Sequence, residues 1–452
     1  MFGFFETGLQ YLYWGNIVMI GLGLLLIFLG IAKKMEPLLL IPIGFGMMLI
    51  NLPIGGLMDY EVDLFNQSGQ NTRVVSVNIQ EGQWVKKGDV LFQLESGVVK
   101  SPIDARISDV DVVPGQHLGA GSRMAMMVTN TKTDMPARPV GLISRIFEYG
   151  IIWQVIPPLI FFCLGALTDF GPMIANPRTL ILGAAAQFGI FFAFFAALGT
   201  NLFMADGFTL QEAASIGIIG GAEGPTTIFV TSMLAPQIIG ITAVACYSYM
   251  AMVPIIQPPI IKLFTTKKER AIYMKPQMRE VSKTEKILFP LIATIVVILL
   301  VPMSAALIGM FMLGNLFNVC GVVDRLSQTA QTTFIDLLTI FLTIAIGSTM
   351  IAQNFLQPRT LLVLLLGVIA FAVGTAAGVI MAKIMNLFSK EKINPMIGAA
   401  GVSAVPMAAR VVQVMGQKEN KRNYLLMHAM GPNVAGAIGA AIAGGVFLGM
   451  LG

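Results

Sequence analysis

Long apolar runs follow one another along most of the chain. Because a bilayer core is about 30 Å thick, a helix needs roughly 20 apolar residues to cross it. The runs predict membrane-spanning helices at about residues 17–32, 37–53, 146–167, 178–200, 211–233, 237–263, 287–308, 333–351, 360–386, 394–415 and 424–450. The pattern therefore predicts a polytopic α-helical membrane protein.

Three of these predicted spans are interrupted near their middle by Gly, Pro and polar residues. The interruptions read GGAEGP at 220–225, GAAGVSAVP at 398–406 and GPNVAG at 431–436. Irregular backbone at membrane depth is tolerated only where it is buried in protein or lines a cavity. We therefore expect at least two of these segments to be broken or re-entrant helices.

The stretch at 60–130 is polar and has short alternating runs, which predict β-strands. SVNIQEGQWVKKGDVLFQLE matches DVDVVPGQHLGAGSRMAMMV, which aligns Gly82 with Gly115 and Gly88 with Gly121. The two halves resemble the barrel-sandwich hybrid fold of biotinyl and lipoyl domains. The turn between them, LESGVVKSP, lacks the Met-Lys-Met context of a carrier. Lys100 is thus not expected to carry biotin, and a docking or spacer domain is the favoured interpretation.

A second, larger repeat lies in the membrane part. Asn176-Pro-Arg-Thr-Leu180 recurs as Gln357-Pro-Arg-Thr-Leu361, and the same offset aligns Gly220 with Gly401 and Pro225 with Pro406. Paired interrupted segments mark the substrate site of many secondary transporters; chance matching of common helix-end motifs is the alternative. The predicted organisation is N-terminal membrane helices at 1–58, the insertion at 60–130, and a membrane transport domain at 145–452 with repeats starting near 176 and 357.

Composition and charge agree with a membrane protein. The chain is 56% hydrophobic and 12% charged, against about 25% charged residues in soluble proteins. The loop at 265–286 holds seven Lys and Arg against three Glu, which predicts a cytoplasmic loop. The net charge of +5 gives no reason to invoke nucleic acid. The three cysteines and two histidines show no metal-binding spacing.

Polar residues within the apolar segments are the candidate functional groups, because such groups are rare at membrane depth and usually functional. They are Asp169, Glu223, Tyr249, Asn394, Ser403, Arg410 and Asn433. Carboxylate, amide and hydroxyl oxygens are the ligands that a hard alkali cation requires. A carboxylate in this set would bind either a proton or Na⁺.

Most of these residues also have a purely structural interpretation. Asp169 precedes a Phe-Gly-Pro turn and would serve as a helix cap, and Asn394 before Pro395 is typical of a helix start. Tyr249 could be a packed ring, and Arg410 a surface anchor. Glu223 is different, because GGAEGP leaves little helix to support a structural salt bridge. A binding role is favoured for it.

Longer motifs carry a resemblance to a known family. LTDFGPMIANPRTLILGAAAQFGIF, IGIIGGAEGPTTIF, YSYMAMVPIIQPPI, INPMIGAAGVSAVPMAARV and HAMGPNVAGAIG closely resemble the β subunit of the sodium-pumping decarboxylases of oxaloacetate, methylmalonyl-CoA, glutaconyl-CoA and malonate. The resemblance implies a carboxybiotin decarboxylase that releases CO₂ while it exports Na⁺ and consumes a proton. It also implies an elevator-type scaffold and core, two repeated halves, and a trimer of β subunits in the bacterial cytoplasmic membrane.

The resemblance also implies partners and a cofactor. Carboxybiotin would arrive on a separate biotin carrier from a carboxyltransferase α subunit, and a small γ or δ membrane subunit would complete the assembly. A Na⁺-coupled carboxylate transporter without chemistry is the alternative function, since repeats and a membrane carboxylate occur there too. A third possibility, an adaptor-like scaffold around 60–130, leaves Glu223 without a purpose.

The family's site residues transfer by motif. The aspartate of the family's GGADGP motif falls on Glu223, and the family's functional tyrosine falls on Tyr249. The asparagine of its GPNVAG motif falls on Asn433. The asparagine, glycine, serine and arginine of its second broken segment fall on Asn394, Gly398, Ser403 and Arg410. By this resemblance Glu223, Asn394, Gly398, Ser403 and Asn433 are expected to hold Na⁺. Tyr249, Ser403 and Arg410 are expected to act in catalysis, and Arg410 also to bind carboxybiotin. Two features depart from the family pattern, Glu223 in place of Asp and the insertion at 60–130.

Overall fold

The computed structural model of the chain describes residues 12–53, 55–66, 71–130, 137–204, 207–275, 279–389, 391–404 and 406–452. The chain divides into two compact units. One is built from Leu52–Glu148, and the other from Tyr13–Asn51 together with Tyr149–Gly452. The first holds the strands and the second most of the helices.

The strand unit contains two small sheets. Its strands are β1 (Tyr60–Phe65), β2 (Thr72–Val77), β3 (Trp84–Val85), β4 (Val90–Leu94), β5 (Gly97–Lys100), β6 (Ala105–Val110), β7 (His117–Leu118), β8 (Arg123–Thr129) and β9 (Ala137–Pro139). The sheet orders are β3-β6-β8-β1-β9 and β5-β4-β2-β7. Alternate side chains of these strands are buried, among them Val62, Leu91 and Ile107, so the unit has a core of its own.

The short sequence repeat corresponds to a repeat of strands. The alignment that pairs Gly82 with Gly115 also places β2 on β6, β3 on β7, and β4 on the start of β8. Gly82 and Gly115 have φ of +83° and +91°, and Gly88 and Gly121 have +97° and +75°. Glycine occupies these turns because side-chain-bearing residues rarely adopt positive φ. Lys100 pairs with Val90 inside the β4–β5 ladder, outside the turn at 95–96.

The helices follow the predicted spans in most places. They are α1 (Trp14–Ala32), α2 (Pro37–Ile50), α3 (Leu142–Arg145), α4 (Ile156–Leu167), α5 (Gly171–Ala175), α6 (Thr179–Ala186), α7 (Phe188–Gly199), α8 (Leu210–Gly217), α9 (Gly224–Leu234), α10 (Ile239–Ala251), α11 (Val253–Phe264), α12 (Lys267–Arg270), α13 (Lys283–Leu300), α14 (Ala305–Cys320), α15 (Asp324–Thr329), α16 (Ile335–Gly347), α17 (Ala352–Phe355), α18 (Pro358–Phe388), α19 (Met396–Ala399), α20 (Met407–Glu419) and α21 (Leu426–Leu451). Six helices in the described residues are long and apolar enough to cross a membrane, or up to eight if each bent pair is one span. The chain is thus mostly helical, with the two sheets as its only extended part among the described residues.

Besides the interrupted segments, three predicted spans are not single helices. Those at 146–167 and 237–263 are each a bent pair of helices. The single helix expected at 287–308 is two helices, because α13 ends at Leu300 and a separate span covers Pro302–Cys320. Proline lacks an N–H and disfavours helical backbone in the residue before it. Val301 accordingly has φ −134° and ψ 79°. The apolar pattern alone does not show this break.

Two of the three interrupted segments are broken helices. The first stops at Gly217, passes through a 3₁₀ turn at Ile218–Gly221 and resumes at Gly224. The second has only the short helix α19 before α20 begins at Met407. The third, GPNVAG, lies inside the continuous helix α21. The expectation of at least two broken segments is met.

Helices α4 and α14 pack with their backbones in close contact. A Cβ on Gly165 would lie 1.9 Å from the carbonyl oxygen of Phe311, and one on Gly314 would lie 1.9 Å from that of Phe162. The amide of Asn315 also donates a 2.7 Å hydrogen bond to the Thr168 carbonyl. Small residues and interhelical hydrogen bonds hold membrane helices together in place of the hydrophobic effect.

We therefore expect Gly314→Ala to lower the thermal stability of the purified protein. Overpacking of this kind destabilises by about 1–3 kcal/mol. Gly21→Ala in α1 is the matched control, because a Cβ there meets nothing within 4 Å and alanine favours a helix over glycine by about 1 kcal/mol. Equal melting temperatures for the two variants would contradict the close packing of α4 and α14.

Candidate functional site

Glu223 lies at the break of the first interrupted segment. Ala222 has φ +52°, which turns the chain after the 3₁₀ turn, and α9 starts at the next Gly-Pro pair. The Glu223 carbonyl accepts hydrogen bonds from the backbone N–H and the hydroxyl of Thr227, at 3.0 and 2.8 Å. The side chain is only 3% exposed. The local sequence thus places one carboxylate at the buried start of a helix.

The second broken segment meets the first at this residue. The Ser403 N–H donates to the Gly221 carbonyl at 3.1 Å. The Ser403 hydroxyl donates to Oε2 of Glu223 at 2.7 Å. Ser403 is fully buried. Two segments far apart in sequence are therefore joined through backbone and side chain at one point.

Helix α21 supplies another wall of the site through Asn433. Its Nδ2 donates to the carbonyls of Ala400 and Val402 at 2.9 and 3.1 Å, which orients unwound backbone of the second segment. Its Oδ1 is buried and has no hydrogen-bond partner among the residues that the structure describes. Gly436 permits the approach, since a Cβ there would lie 2.1 Å from the Gly401 carbonyl oxygen.

Gln187 is a further member of the cluster that the sequence analysis missed. It sits between α6 and α7, and its Nε2 donates to the carbonyls of Gly183 and Gly436 at 3.0 and 3.2 Å. Its Oε1 is buried without a partner, and a Cβ on Gly221 would lie 3.6 Å from that oxygen. The one sequence feature that could have identified Gln187 is that it is a single amide within the apolar run ILGAAAQFGIFF.

The cluster is rich in acceptor oxygens and poor in positive charge. In the described part of the chain, Glu223 has no Lys, Arg or His partner within ion-pair distance. Buried acceptors without a partner are rare in folded proteins, and an unpaired buried carboxylate is costly. A proton or a hard cation coordinated by oxygen would satisfy these groups. The described residues hold no group of three His, Cys, Asp or Glu that fits a transition metal.

Two tyrosines of α10 point to different neighbours. The hydroxyl of Tyr249 donates to the Leu364 carbonyl of α18. Tyr247 packs against the first broken segment, because a Cβ on Gly224 would lie 2.4 Å from its ring and 2.7 Å from its hydroxyl oxygen. Tyr247 is therefore beside the residue that follows Glu223, while the predicted Tyr249 contacts the long helix of the second half.

Asn394 and Gly398 lie on the second segment but contact other groups. The Asn394 Nδ2 donates to the carbonyls of Arg270 and Ile272, and its Oδ1 accepts from the Met396 N–H. Both ends of its carboxamide are thus engaged with backbone. Gly398 faces α18, where a Cβ would lie 2.0 Å from the Gly378 carbonyl oxygen. These residues fix the position of α19.

Asp169 and Arg410 also lie apart from the Glu223 cluster in their contacts. Asp169 accepts a hydrogen bond from the Gly171 N–H at 2.9 Å and lies 3.5 Å from the Lys286 ammonium group. Arg410 is exposed in the first turn of α20. Burial raises the pKa of Glu36, and the nearby Arg410 guanidinium lowers it. Asp169 thus has the contacts of a helix cap, and Arg410 keeps an accessible guanidinium.

Comparison with known proteins identifies the family to which the chain is similar. A family model described as "Na+-transporting oxaloacetate decarboxylase beta subunit" matches residues 15–451. The probable oxaloacetate decarboxylase beta chain of Vibrio cholerae is 48% identical over 443 residues, which cover 98% of this chain and 97% of the relative. The methylmalonyl-CoA decarboxylase subunit beta of Propionigenium modestum is 48% identical over 447 residues, 99% of this chain and 98% of the relative.

A third relative, the oxaloacetate decarboxylase beta chain 2 of Salmonella typhi, is 49% identical over 443 residues, 98% of this chain and 96% of its own length. Matches of this identity and coverage extend over both broken segments and over the strand insertion. The insertion at 60–130 was expected to depart from the family pattern, but these relatives match the chain across it. The chain therefore belongs to the family of sodium-translocating decarboxylase β subunits, which are multi-pass membrane proteins.

Proposed function

We propose that the protein releases CO₂ from carboxybiotin on a carrier protein and couples this step to Na⁺ export and proton consumption. The observation that carries the proposal is the Glu223–Ser403 hydrogen bond, which closes a buried oxygen cluster where two broken segments meet. Membership of the family supports a decarboxylase-coupled sodium pump. The membrane in question is the bacterial cytoplasmic membrane.

The Na⁺ ligands are Glu223, Ser403 and Asn433, together with Gln187. The amide oxygens of Asn433 and Gln187 are the two acceptors without partners in the cluster. The Ser403 hydroxyl now donates to Glu223, so it would rotate to present a lone pair to the ion. Asn394 and Gly398, which were also predicted as ligands, act in this proposal by holding the second segment in place.

The coupling of Na⁺ export to proton uptake follows from the single carboxylate of Glu223. With Na⁺ bound, Glu223 is ionised and the pair is neutral; with the ion released, a proton replaces it. Either form avoids a bare buried charge. Moving one charge against 100 mV costs ~2.3 kcal/mol, which the downhill loss of CO₂ can supply without ATP.

Other residues of the chain would bind carboxybiotin and transfer the proton. Carboxybiotin, when bound, supplies a carboxylate that leaves as CO₂ and a ureido nitrogen that takes up a proton. Arg410 offers a planar, permanently charged guanidinium for that carboxylate and is exposed. The Tyr249 hydroxyl, now bonded to the Leu364 carbonyl, and Ser403 would pass the proton.

The assembly and its movement are further parts of the proposal. The Pro-Arg-Thr repeats begin α6 and α18, and each is followed by one broken segment, which supports two related halves in an elevator-type core and scaffold. We expect a β trimer with a biotin carrier, a carboxyltransferase α subunit and a small γ or δ subunit. The strand unit acts as a barrel-sandwich-like docking or spacer domain.

The acyl substrate is selected elsewhere in the assembly. Relatives named for oxaloacetate and for methylmalonyl-CoA are both 48% identical to this chain over almost its full length. This equality supports a β subunit that receives only the carboxylated carrier. Its own specificity would lie in the ion, where the motif resemblance places Glu223 on an aspartate.

The first prediction concerns Glu223→Gln in proteoliposomes that hold the purified assembly. We expect loss of ²²Na⁺ uptake and of CO₂ release together, because the neutral amide neither balances Na⁺ nor exchanges a proton. Glu280→Gln, an exposed loop residue, is the control and should keep both. Sodium movement in the wild type that does not depend on carboxybiotin would instead favour a carboxylate transporter without chemistry.

The second prediction concerns the length of the carboxylate arm. Glu223→Asp removes one methylene and draws the charge back towards the backbone, so we expect the relative affinities for Na⁺ and Li⁺ to change while both transport and CO₂ release survive. The measurement is the concentration of each cation that gives half-maximal CO₂ release. Unchanged constants for both cations would show that the arm length does not set the ion geometry.

The third prediction tests Gln187 as a ligand. A bound ion stabilises the folded state by RT ln(1 + [L]/Kd), so Na⁺ should raise the melting temperature of the wild type relative to choline. We expect Gln187→Leu to reduce this Na⁺-dependent rise, because an oxygen ligand is lost. A purely structural role would lower the melting temperature equally in Na⁺ and choline, which would contradict ligation.

A further inference from the structure

A large cavity lined by both charged and apolar side chains opens in the membrane unit away from the contacts of Glu223. Its volume is 820 Å³. It lies between the start of α6, the loop after α12, the end of α18 and the first turn of α21, where Asn176, Tyr273, Phe388 and His428 are among its lining residues. No step of the proposed function uses these residues.

The lining carries an excess of positive charge. The basic residues Arg178, Lys275, Arg279 and Lys392 line the cavity, and among the described lining residues only Glu391 is acidic. Arg279 is already paired, at 2.9 Å, with Glu285. The ammonium group of Lys392 donates to the Asn386 carbonyl. Arg178 has no side-chain partner among the described residues, so its guanidinium is available to an anion.

The repeated arginine shows that this availability is specific to the first half. Arg359, which aligns with Arg178 in the Pro-Arg-Thr repeat, is 2.6 Å from the buried carboxylate of Glu212. It also donates to the Gly207 carbonyl and lies 4.9 Å above the Phe208 ring. The offset that aligns the two arginines places Ile393 on Glu212. Arg178 therefore has no matching acid, because the second half carries Ile393 where the first half carries Glu212.

The surroundings indicate which anion would replace that acid. Lys275 and Arg279 belong to the loop at 265–286, whose basic residues predict the cytoplasmic side. The cytoplasmic leaflet carries anionic lipids, and basic pockets between helices on that side bind their headgroups. Two apolar lining residues, Ile181 and Phe388, are 48% and 88% exposed. Exposed apolar side chains beside clustered cations match a headgroup with attached acyl chains better than a soluble ion.

We propose that this cavity binds the phosphate headgroup of an anionic phospholipid from the cytoplasmic leaflet. Arg178 makes the main contact, because a guanidinium binds phosphate oxygens through two parallel hydrogen bonds. Lys275 and Lys392 add charge around it, and the acyl chains run along Ile181 and Phe388. The lipid phosphate takes, for the first half, the place that the Glu212 carboxylate occupies for Arg359.

The test measures lipid retention by the purified assembly. The wild type, Arg178→Gln and Arg422→Gln are delipidated in detergent and titrated with phosphatidylglycerol, and native mass spectrometry counts the bound lipids. Arg422 is the matched control, an exposed arginine of a neighbouring loop that does not line the cavity. We expect Arg178→Gln to weaken binding of one tightly held lipid roughly tenfold, and Arg422→Gln to leave it unchanged.

A second measurement separates lipid from soluble anions. In nanodiscs of phosphatidylcholine alone, inorganic phosphate or malonate should not raise the melting temperature of the wild type, while added phosphatidylglycerol should. Stabilisation by the soluble anions that Arg178→Gln abolishes would overturn the lipid assignment in favour of a soluble ligand. Equal lipid retention by all three proteins would overturn the site itself. If Arg178→Gln fails to assemble, Arg178→Lys replaces it in the test. This variant keeps the positive charge but loses the paired hydrogen bonds of the guanidinium, so we expect it to bind the lipid more weakly than the wild type does, without losing it completely.

Discussion

The structure of the membrane unit depends on one constraint, which is that a buried carboxylate and its neighbouring amides need a cation or a proton. Glu223 is 3% exposed, and its one side-chain partner among the described residues is the Ser403 hydroxyl. Nearby, Asn433 and Gln187 each keep a buried oxygen without a hydrogen bond. Burying such groups is unfavourable, so the arrangement has a purpose only if an ion or proton completes it. In the proposed function, both broken segments, α21 and the α6–α7 junction contribute ligands to that ion.

Close backbone contacts make this sharing possible. Where the two broken segments meet, Gly436 of α21 packs against the Gly401 carbonyl. Gly220 packs in the same way, since a Cβ there would lie 2.9 Å from the Gly189 carbonyl oxygen. Side chains at these positions would push the segments apart and separate the Ser403 hydroxyl from Glu223. The glycines of GGAEGP and GAAGVSAVP therefore have two structural effects. They free the backbone from regular helix, and they bring unwound carbonyls and polar side chains within reach of one point.

Much of this site could be predicted from the sequence, because charge and glycine stand out in an apolar chain. Glu223, Ser403 and Asn433 were predicted, and the structure brings the three together. Gln187 was missed, since a single amide in an apolar helix resembles any satisfied polar residue until its unpaired oxygen is seen. The break at Pro302 was also missed, because apolar residues continue on both sides of it.

Other site residues show the limits of motif transfer. Asn394 and Arg410 were predicted by motif, yet Asn394 binds the backbone of a loop and Arg410 lies near Glu36. A motif records that a residue type occurs at a position. It does not record which neighbour the side chain faces, and that direction is set by packing between segments distant in sequence. The roles of these two residues therefore stay predictions.

The repeat itself explains why the site holds one charge. The sequence offset that aligns Gly220 with Gly401 and Pro225 with Pro406 places Ala404 on Glu223 and Ala222 on Ser403. The two halves thus share the residues that break the helix and differ in those that bind. A carboxylate at 404, next in sequence to Ser403, would add a second negative charge to the segment that contacts Glu223, and two close carboxylates resist joint ionisation. In the proposed function, the single carboxylate at this point pairs with either Na⁺ or a proton, so the two bind in alternation.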